Sequence, residues 1–206
     1  MTLRAILTTT FTAALSFGAL SIPSHAATQT LIVAGGCFWC VESDYEKVDG
    51  VSDVVSGYIG GTVENPTYKQ VSGKKTGHYE AVKITFDDQK VQLRSLLDYF
   101  WKTIDPTDAS GQFCDKGSPY YTAMFYQDDV QKAVFEASLA DVERTKPFDE
   151  EIVTPLIKAS DFYLAEDYHQ DYYQKNPIRY RYYRSSCGRD SQIEKLWGDV
   201  ASSHYH

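Results

Sequence analysis

The chain has 206 residues, a formal net charge of −8, 43% hydrophobic residues and 23% charged residues. This length is enough for one sizeable hydrophobic core, and the composition is that of a globular protein rather than a disordered one. An acidic chain without a basic stripe excludes nucleic acids and anionic membranes as expected partners.

The first 26 residues are predicted to be a secretory signal peptide. Arg4 supplies a positive start, residues 5–22 are mostly apolar, and the Ser-His-Ala sequence that ends at Ala26 is typical of a cleavage site. We therefore expect a mature domain, residues 27–206, that is exported to the periplasm or secreted and is not inserted in a membrane. An uncleaved membrane anchor is the alternative. Export permits disulfides, so the four cysteines could also form two structural bridges.

The rest of the chain shows strand and helix patterns that mix without strict alternation. In chain order, the patterns predict a strand at 31–34, a helix at 37–48, a strand at 51–59, a short helix after 65–68, a strand at 79–86, a helix at 91–104, a long loop at 107–119, a strand at 121–126, a helix at 130–142, a strand at 152–159 and a short helix at 167–175.

These elements indicate an α+β fold in a single domain, with a two-layer mixed β-sheet and packed helices. Beyond residue 175 we expect an irregular C-terminal segment, with one or two helical turns at 189–198.

The stretch from Gly35 to Cys40 carries the strongest chemical signal. A strand, two glycines and a helix that begins near Cys37 make a sharp turn that places this cysteine at a helix N-terminus. The free N–H groups there stabilise a thiolate, so a lowered pKa is expected for Cys37. Cys37 and Cys40 are three residues apart on one helix face and could reach each other.

Four interpretations of this cysteine pair remain open on the residues alone. A structural bridge suits an exported protein but does not explain the two glycines. A zinc site would need two further ligands, and the sequence has no second C-x-x-C or H-x-x-x-H motif. A thioredoxin-type dithiol fits the local pattern but not the long chain. The fourth interpretation makes Cys37 a nucleophile whose resolving partner is a different cysteine.

Six motifs in the chain resemble those of the peptide methionine sulfoxide reductase A family. They occur in the family's order and span nearly all of the chain after Ala27. Any one would be weak, but six together are specific. The motifs are Gly36-Cys37-Phe38-Trp39, Asn65-Pro66-Thr67-Tyr68, Gly77-His78-Tyr79-Glu80-Ala81-Val82, Asp105-Pro106-Thr107, Asp115-Lys116-Gly117-Ser118-Pro119-Tyr120 and Ala165-Glu166-Asp167-Tyr168-His169-Gln170.

The resemblance implies that Cys37 is the nucleophile, which attacks the sulfoxide sulfur and becomes a sulfenic acid. It implies that Glu80 is the acid that protonates the sulfoxide oxygen. Such a carboxyl must be buried so that its pKa rises. Glu80 shares its strand face with Val82 and Ile84 in the alternating pattern, which predicts burial.

The resemblance also implies five substrate-binding residues. Tyr68 and Tyr120 would donate hydrogen bonds to the sulfoxide oxygen. Phe38 and Trp39 would form the apolar wall against the substrate methyl group, and Asp115 would lie near the substrate backbone. Together they would select the S configuration at sulfur.

For the second half of the cycle, the resemblance implies that another thiol condenses with the sulfenic acid to form a disulfide. Cys187 is the first candidate, because family members often carry this cysteine in the C-terminal segment; Cys40 is the second and Cys114 the third. An external thioredoxin-fold reductant would open the disulfide, with no metal or bound cofactor, and the protein is expected to be a monomer.

Two residues depart from the family pattern: Lys116 stands where arginine is usual, and Tyr121 where a basic residue is common.

The alternative function is an exported thiol–disulfide oxidoreductase that uses Cys37 and Cys40. A disulfide-stapled binding module without turnover is a third hypothesis.

Overall fold

The computed structural model describes residues 28–198, which form one α+β domain. The predicted signal peptide at residues 1–26 lies outside the described residues. Within residues 28–198, none of the helices combines the length and the apolar character that crossing a membrane requires.

The strands form a six-stranded mixed sheet and a separate two-stranded ribbon. The main sheet has the order β7-β6-β1-β3-β2-β8; β6 and β7 run parallel, and the other neighbouring pairs are antiparallel. β4 and β5 make the ribbon. The strands are β1 (Thr28–Gly35), β2 (Val51–Ile59), β3 (Tyr79–Asp87), β4 (Gly111–Gln112), β5 (Asp115–Lys116), β6 (Thr122–Tyr126), β7 (Leu156–Lys158) and β8 (Tyr163–Leu164).

Seven helices accompany the strands in the described part of the chain, together with a 3₁₀ turn at Ser118–Tyr120. The helices are α1 (Phe38–Tyr45), α2 (Tyr68–Ser72), α3 (Leu93–Trp101), α4 (Asp129–Thr145), α5 (Tyr172–Lys175), α6 (Pro177–Ser186) and α7 (Arg189–Trp197).

The central strand β1 is buried on both faces. Leu31 and Val33 join the large core cluster that includes Phe100 of α3, whereas Ile32 and Ala34 join a smaller cluster on the opposite face. This explains why the sequence here is a continuous apolar run rather than an alternating one. Each large apolar side chain buried in this way contributes about 1.5–3 kcal/mol relative to exposure.

The alternation predicted for β3 is confirmed. Glu80, Val82, Ile84 and Phe86 lie on one face of the strand, and all are buried. Because β3 pairs with β1, this face brings Glu80 next to the chain that leaves β1 and enters α1.

The C-terminal segment differs from its prediction at α6, which is helical where an irregular chain was expected, whereas α5 and α7 lie within the helix predicted at 167–175 and the turns predicted at 189–198. Proline at the first position of α6 fixes a helical φ where no backbone donor is lost. Gly188, with φ = 69°, supplies the left-handed residue between α6 and α7. Tyr180 is the buried residue of α6, and Arg184 of the same helix pairs with Asp44, so hydrophobic periodicity does not reveal this helix.

Candidate active site

Cys37 lies at the junction of β1 and α1. It caps the first turn of α1, as the sequence predicts. Gly36, which precedes it, has φ = 82°, and a Cβ at this position would lie 2.5 Å from the Cβ of Gln112. Only glycine allows the chain to turn here without displacing β4. The turn leaves the Cys37 thiol buried, with the residue 6% exposed.

The expectation of a lowered pKa for Cys37 is wrong. Burial is the largest effect and raises this pKa, and the neighbouring Cys40 and Glu80 raise it further, although a hydrogen bond with the Tyr183 hydroxyl opposes them. Removal from water outweighs the N–H groups of the helix terminus. Cys37 therefore carries a proton at neutral pH until the reaction itself removes it.

Glu80 is held against the start of α1. The main-chain N–H of Phe38 donates to the Glu80 carboxyl oxygen Oε2 at 3.2 Å. Glu80 is 2% exposed, as its place on β3 predicts. Burial raises its pKa to about 8, although the hydrogen bond from Phe38 opposes this. The carboxyl is therefore mostly protonated at neutral pH and can act as an acid beside Cys37.

Tyr68 and Tyr120 come from different parts of the chain, α2 and the 3₁₀ turn, and their side chains are hydrogen-bonded to each other. Burial, followed by the charge of Glu80, raises the pKa of Tyr68 to about 12 and raises that of Tyr120 as well. Both phenols therefore keep their protons and remain donors. Glu166 fixes the start of α2, because its Oε1 accepts a 2.8 Å hydrogen bond from the main-chain N–H of Tyr68.

A small cavity of about 60 Å³ brings together seven of the eight predicted site residues. Cys187 is the one that does not line it. The sequence analysis missed one further lining residue, Tyr183 of α6. The cavity is lined by Cys37, Phe38, Trp39, Tyr68, Glu80, Asp115, Tyr120 and Tyr183.

Tyr183 connects two of the predicted residues. Its hydroxyl donates a hydrogen bond to Asp115 and is also hydrogen-bonded to the Cys37 thiol. Burial raises the pKa of Asp115, and the bond from Tyr183 opposes that effect. A sequence signal for Tyr183 did exist: it lies four residues before Cys187, so a helix through both would place them on one face.

Trp39 forms a rigid wall of the cavity. Its ring stacks on Tyr172 at 3.7 Å between centroids, with 7° between the planes. Its Nε1–H donates to Nδ1 of His169 at 3.0 Å. Burial lowers the pKa of His169 to about 4, so the ring is neutral and its remaining proton lies on Nε2. Tyr172 and His169 therefore hold Trp39 in one orientation beside Phe38.

The four cysteines separate into two pairs. Cys37 and Cys40 are buried free thiols, whereas Cys114 and Cys187 form a disulfide with 4.8 Å between their Cα atoms. Cys187 is the C-cap of α6, so it belongs to a helix end rather than to a flexible tail.

Two arginines from the C-terminal helices, Arg184 and Arg189, lie close enough to Cys40 for their charges to act on its thiol. Arg184 pairs with Asp44 at 2.7 Å, and Arg189 donates to the carbonyls of Gly35 at 3.1 Å and Thr103 at 2.7 Å. A hydrogen bond from Cys37 is the largest effect that lowers the pKa of Cys40, and the charges of Arg189 and Arg184 add to it.

Known proteins share this fold and these motifs. Residues 29–201 match the family profile described as peptide methionine sulfoxide reductase. The chain is 49% identical over 165 residues to peptide methionine sulfoxide reductase MsrA of Bacillus subtilis, an alignment that covers 80% of this chain and 93% of that protein. It is 48% identical over 176 residues to MsrA/MsrB of Vibrio cholerae and spans only 47% of that protein, about half its length.

Solved structures agree with the sequence comparisons. Mxr1 from Saccharomyces cerevisiae in its reduced form superposes with a TM-score of 0.69 at 30% identity, over 73% of this chain and 86% of that one. Methionine sulfoxide reductase A of Corynebacterium diphtheriae gives 0.64 at 26% identity, over 78% and 81%. On the breadth of the profile match and the identity to the Bacillus protein, the chain belongs to the peptide methionine sulfoxide reductase A family.

Proposed function

We propose that this protein reduces methionine S-sulfoxide to methionine, as a peptide-methionine (S)-S-oxide reductase. One observation carries the proposal: a buried thiol, a carboxyl that is protonated at neutral pH and two phenol donors line the same 60 Å³ cavity. That set matches the needs of a sulfoxide, which has one oxygen to protonate and one sulfur to attack.

The reaction begins with the substrate oxygen facing three donors. Tyr68, Tyr120 and the protonated Glu80 hydrogen-bond to it and draw electrons from sulfur. Phe38 and Trp39 provide the apolar wall for the methyl group. Since oxygen, methyl and side chain then occupy three fixed directions around the sulfur, one configuration at sulfur is selected.

The chemical step balances within the site. The Cys37 sulfur attacks the sulfoxide sulfur, the sulfur–oxygen bond breaks and the oxygen ends on Cys37 as a sulfenic acid. Cys37 is oxidised by two electrons and the sulfoxide is reduced to the thioether. Glu80 gives its proton to the oxygen and receives the thiol proton of Cys37, which explains why both groups can start protonated.

Cys187 is the proposed resolving thiol. Its thiol condenses with the Cys37 sulfenic acid, which forms a Cys37–Cys187 disulfide and releases water. The Cys114 thiol then attacks the Cys187 sulfur, which releases Cys37 as a thiol and produces a Cys114–Cys187 disulfide. The observed pairing supports this order, because Cys114 and Cys187 are joined while Cys37 is free.

A thioredoxin-fold dithiol outside the cytoplasm is the proposed reductant of the Cys114–Cys187 disulfide. Yeast Mxr1 has been crystallised in complex with Trx2, which supports the choice of protein class. The predicted signal peptide supports the exported location.

The test is turnover of N-acetyl-methionine sulfoxide of each configuration with dithiothreitol. We expect the S form to be consumed, the R form to remain, and Cys37→Ser to be inactive. If the wild-type protein consumes neither form, or if Cys37→Ser retains activity, the proposed function is wrong.

A further inference from the structure

A second, larger cavity of about 590 Å³ lies on the outer side of the active site. Trp39, Tyr68 and Tyr183 line both this groove and the 60 Å³ cavity that contains Cys37. The two spaces are therefore neighbours that share an aromatic wall. The smaller cavity has room for the methyl sulfoxide group, and the larger one has room for the rest of the substrate.

The groove presents exposed aromatic side chains. Tyr168 is 57% exposed and Tyr182 is 76% exposed, and both line it. The stacked pair of Trp39 and Tyr172 also lines this groove. Tyrosine and tryptophan carry large, rigid contact area with a polar end, which is why they dominate binding hot spots.

Arg179 supplies a charge to the same groove. Within residues 28–198 it makes no hydrogen bond and no ion pair, unlike Arg184 and Arg189 from the same region. Its side chain is exposed. A guanidinium without a partner beside an aromatic surface is well placed to pair with a carboxylate of a ligand.

We propose that this groove binds the peptide segment around methionine sulfoxide in a protein substrate. An apolar neighbour of the sulfoxide residue packs between Tyr168 and Tyr182, and an acidic residue nearby pairs with Arg179. The inference rests on the proposed function, and it adds a preference for the sequence around the oxidised methionine. Cys114 and Cys187 also line the groove, so a reductant that reaches their disulfide is the competing occupant; continuity with the sulfoxide cavity favours the peptide.

The charge contact is tested with a set of short peptides that contain one methionine S-sulfoxide. Each peptide carries one glutamate, placed from three residues before to three residues after the sulfoxide, and each has a glutamine twin. With dithiothreitol as reductant, wild type should favour glutamate over glutamine about two- to fivefold in kcat/KM at one or more positions, the size expected of an exposed ion pair. Arg179→Glu should reverse this ratio, and high salt should abolish it.

Arg181→Glu is the matched control, because Arg181 lies on the same helix, is exposed and does not line the groove. It changes the net charge by the same amount, so its glutamate-to-glutamine ratio should stay close to that of wild type. An equal effect of Arg179→Glu and Arg181→Glu would mean that only overall charge matters, and the assignment of Arg179 would fail.

The apolar contact is tested with Tyr182→Ala on peptides that carry leucine or alanine next to the sulfoxide. Wild type should have a higher kcat/KM for the leucine peptide than for the alanine peptide. In Tyr182→Ala this ratio should fall by at least about fivefold, the loss typical of a truncated hot-spot aromatic. If Arg179→Glu and Tyr182→Ala leave all peptide ratios unchanged and instead raise the KM for thioredoxin, the groove binds the reductant and the proposal is overturned. Turnover of N-acetyl-methionine S-sulfoxide by wild type tests the proposed function separately. If wild type reduces this compound but shows no preference among the peptides, the groove proposal is refuted and the proposed function is not.

Discussion

The main-chain N–H of Phe38, the residue that follows Cys37, donates to the carboxyl of Glu80 at 3.2 Å. The first turn of α1 and strand β3 are joined by this contact, so the cysteine and the acid keep a fixed relation. One oxygen of Glu80 accepts from the helix, which leaves the other free to carry the proton. The same carboxyl is buried, so its proton is retained to about pH 8.

The role of Glu80 predicts how activity depends on pH. In the proposed mechanism Glu80 acts in its protonated form, and its pKa in the free protein is raised to about 8, so kcat/KM should be high below that pH and fall above it. Glu80→Gln keeps the hydrogen bond from Phe38 but cannot donate a proton, so kcat should fall about 10²- to 10⁴-fold. The measurement is kcat and kcat/KM against pH with dithiothreitol for both proteins, with the pKa of the free protein read from kcat/KM.

The residual activity of Glu80→Gln provides the control. It should lack the decrease near pH 8 that wild type shows. A variant that loses activity but keeps that decrease would assign the titration to another group, with Cys37 the first to examine.

Short-range patterns predicted the local structure around Cys37 and Glu80. The apolar run followed by two glycines indicates a turn, and the structure places it at Gly36, with φ = 82°, between the strand that ends at Gly35 and the helix that Cys37 caps. Glu80 was correctly placed inside because strand side chains alternate with a period of two. Strand β7 is shorter than predicted, since Pro155 has no N–H for the ladder.

Long-range contacts were beyond the reach of these patterns. Cys114 and Cys187 are 73 residues apart, and nothing local indicates that they meet. Helix α6 has no apolar periodicity; Tyr180 packs against Tyr172 and Cys40, and Arg184 pairs with Asp44. Tyr183 was therefore not among the predicted site residues, and its contact with Asp115 was missed.

Glu42 predicts a pH-dependent stability. It is fully buried in α1 and accepts hydrogen bonds from Ser56 Oγ at 3.1 Å and from the N–H of Asp171 at 3.0 Å. Burial raises its pKa from 4.5 to about 7. The stability that its bound proton contributes is thus present below pH 4.5 and is lost as the pH rises to about 7, by about 1.4 kcal/mol per pH unit.

Glu42→Gln should remove this part of the pH dependence, because glutamine does not titrate; its Oε1 can accept from the N–H of Asp171 while its Nε2 donates to the Ser56 hydroxyl. Urea unfolding of both proteins, at several values between about pH 4.5 and pH 7, gives the difference in free energy of unfolding. Glu80 remains in both proteins, so the difference isolates Glu42. A difference that does not change with pH would show that Glu42 keeps an ordinary pKa.

Substitution of Arg189 is expected to cause a large loss of stability. Arg189 is 2% exposed and donates to the carbonyls of Gly35 and Thr103. Arg189→Met leaves these acceptors without a donor and removes a positive charge near Asp44, so the free energy of unfolding should fall by about 3–5 kcal/mol. Arg181→Met, on the exposed surface, should change it by less than about 0.5 kcal/mol. Similar small losses for both, measured by urea unfolding, would show that Arg189 is not a structural support.

The order of disulfide exchange predicts how much methionine forms without any reductant. In reduced wild type, the first sulfoxide oxidises Cys37, and transfer to Cys187 and then Cys114 makes Cys37 free again. A second sulfoxide can then react, so two methionines should form per protein molecule. Cys114→Ser should stop at a Cys37–Cys187 disulfide and give one.

Cys40→Ser distinguishes this order from its rival. If Cys187 resolves the sulfenic acid, Cys40→Ser still gives two methionines, and Cys187→Ser gives one, with Cys37 left as a sulfenic acid that dimedone traps. If Cys40 is the resolving thiol, wild type and Cys187→Ser both stop at one, and peptide mapping finds a Cys37–Cys40 bond. Recycling by thioredoxin is a second test of which thiol resolves the sulfenic acid. Turnover of Cys187→Ser should fail with thioredoxin but continue with dithiothreitol. Only the small dithiol can reach a sulfenic acid that is buried with Cys37.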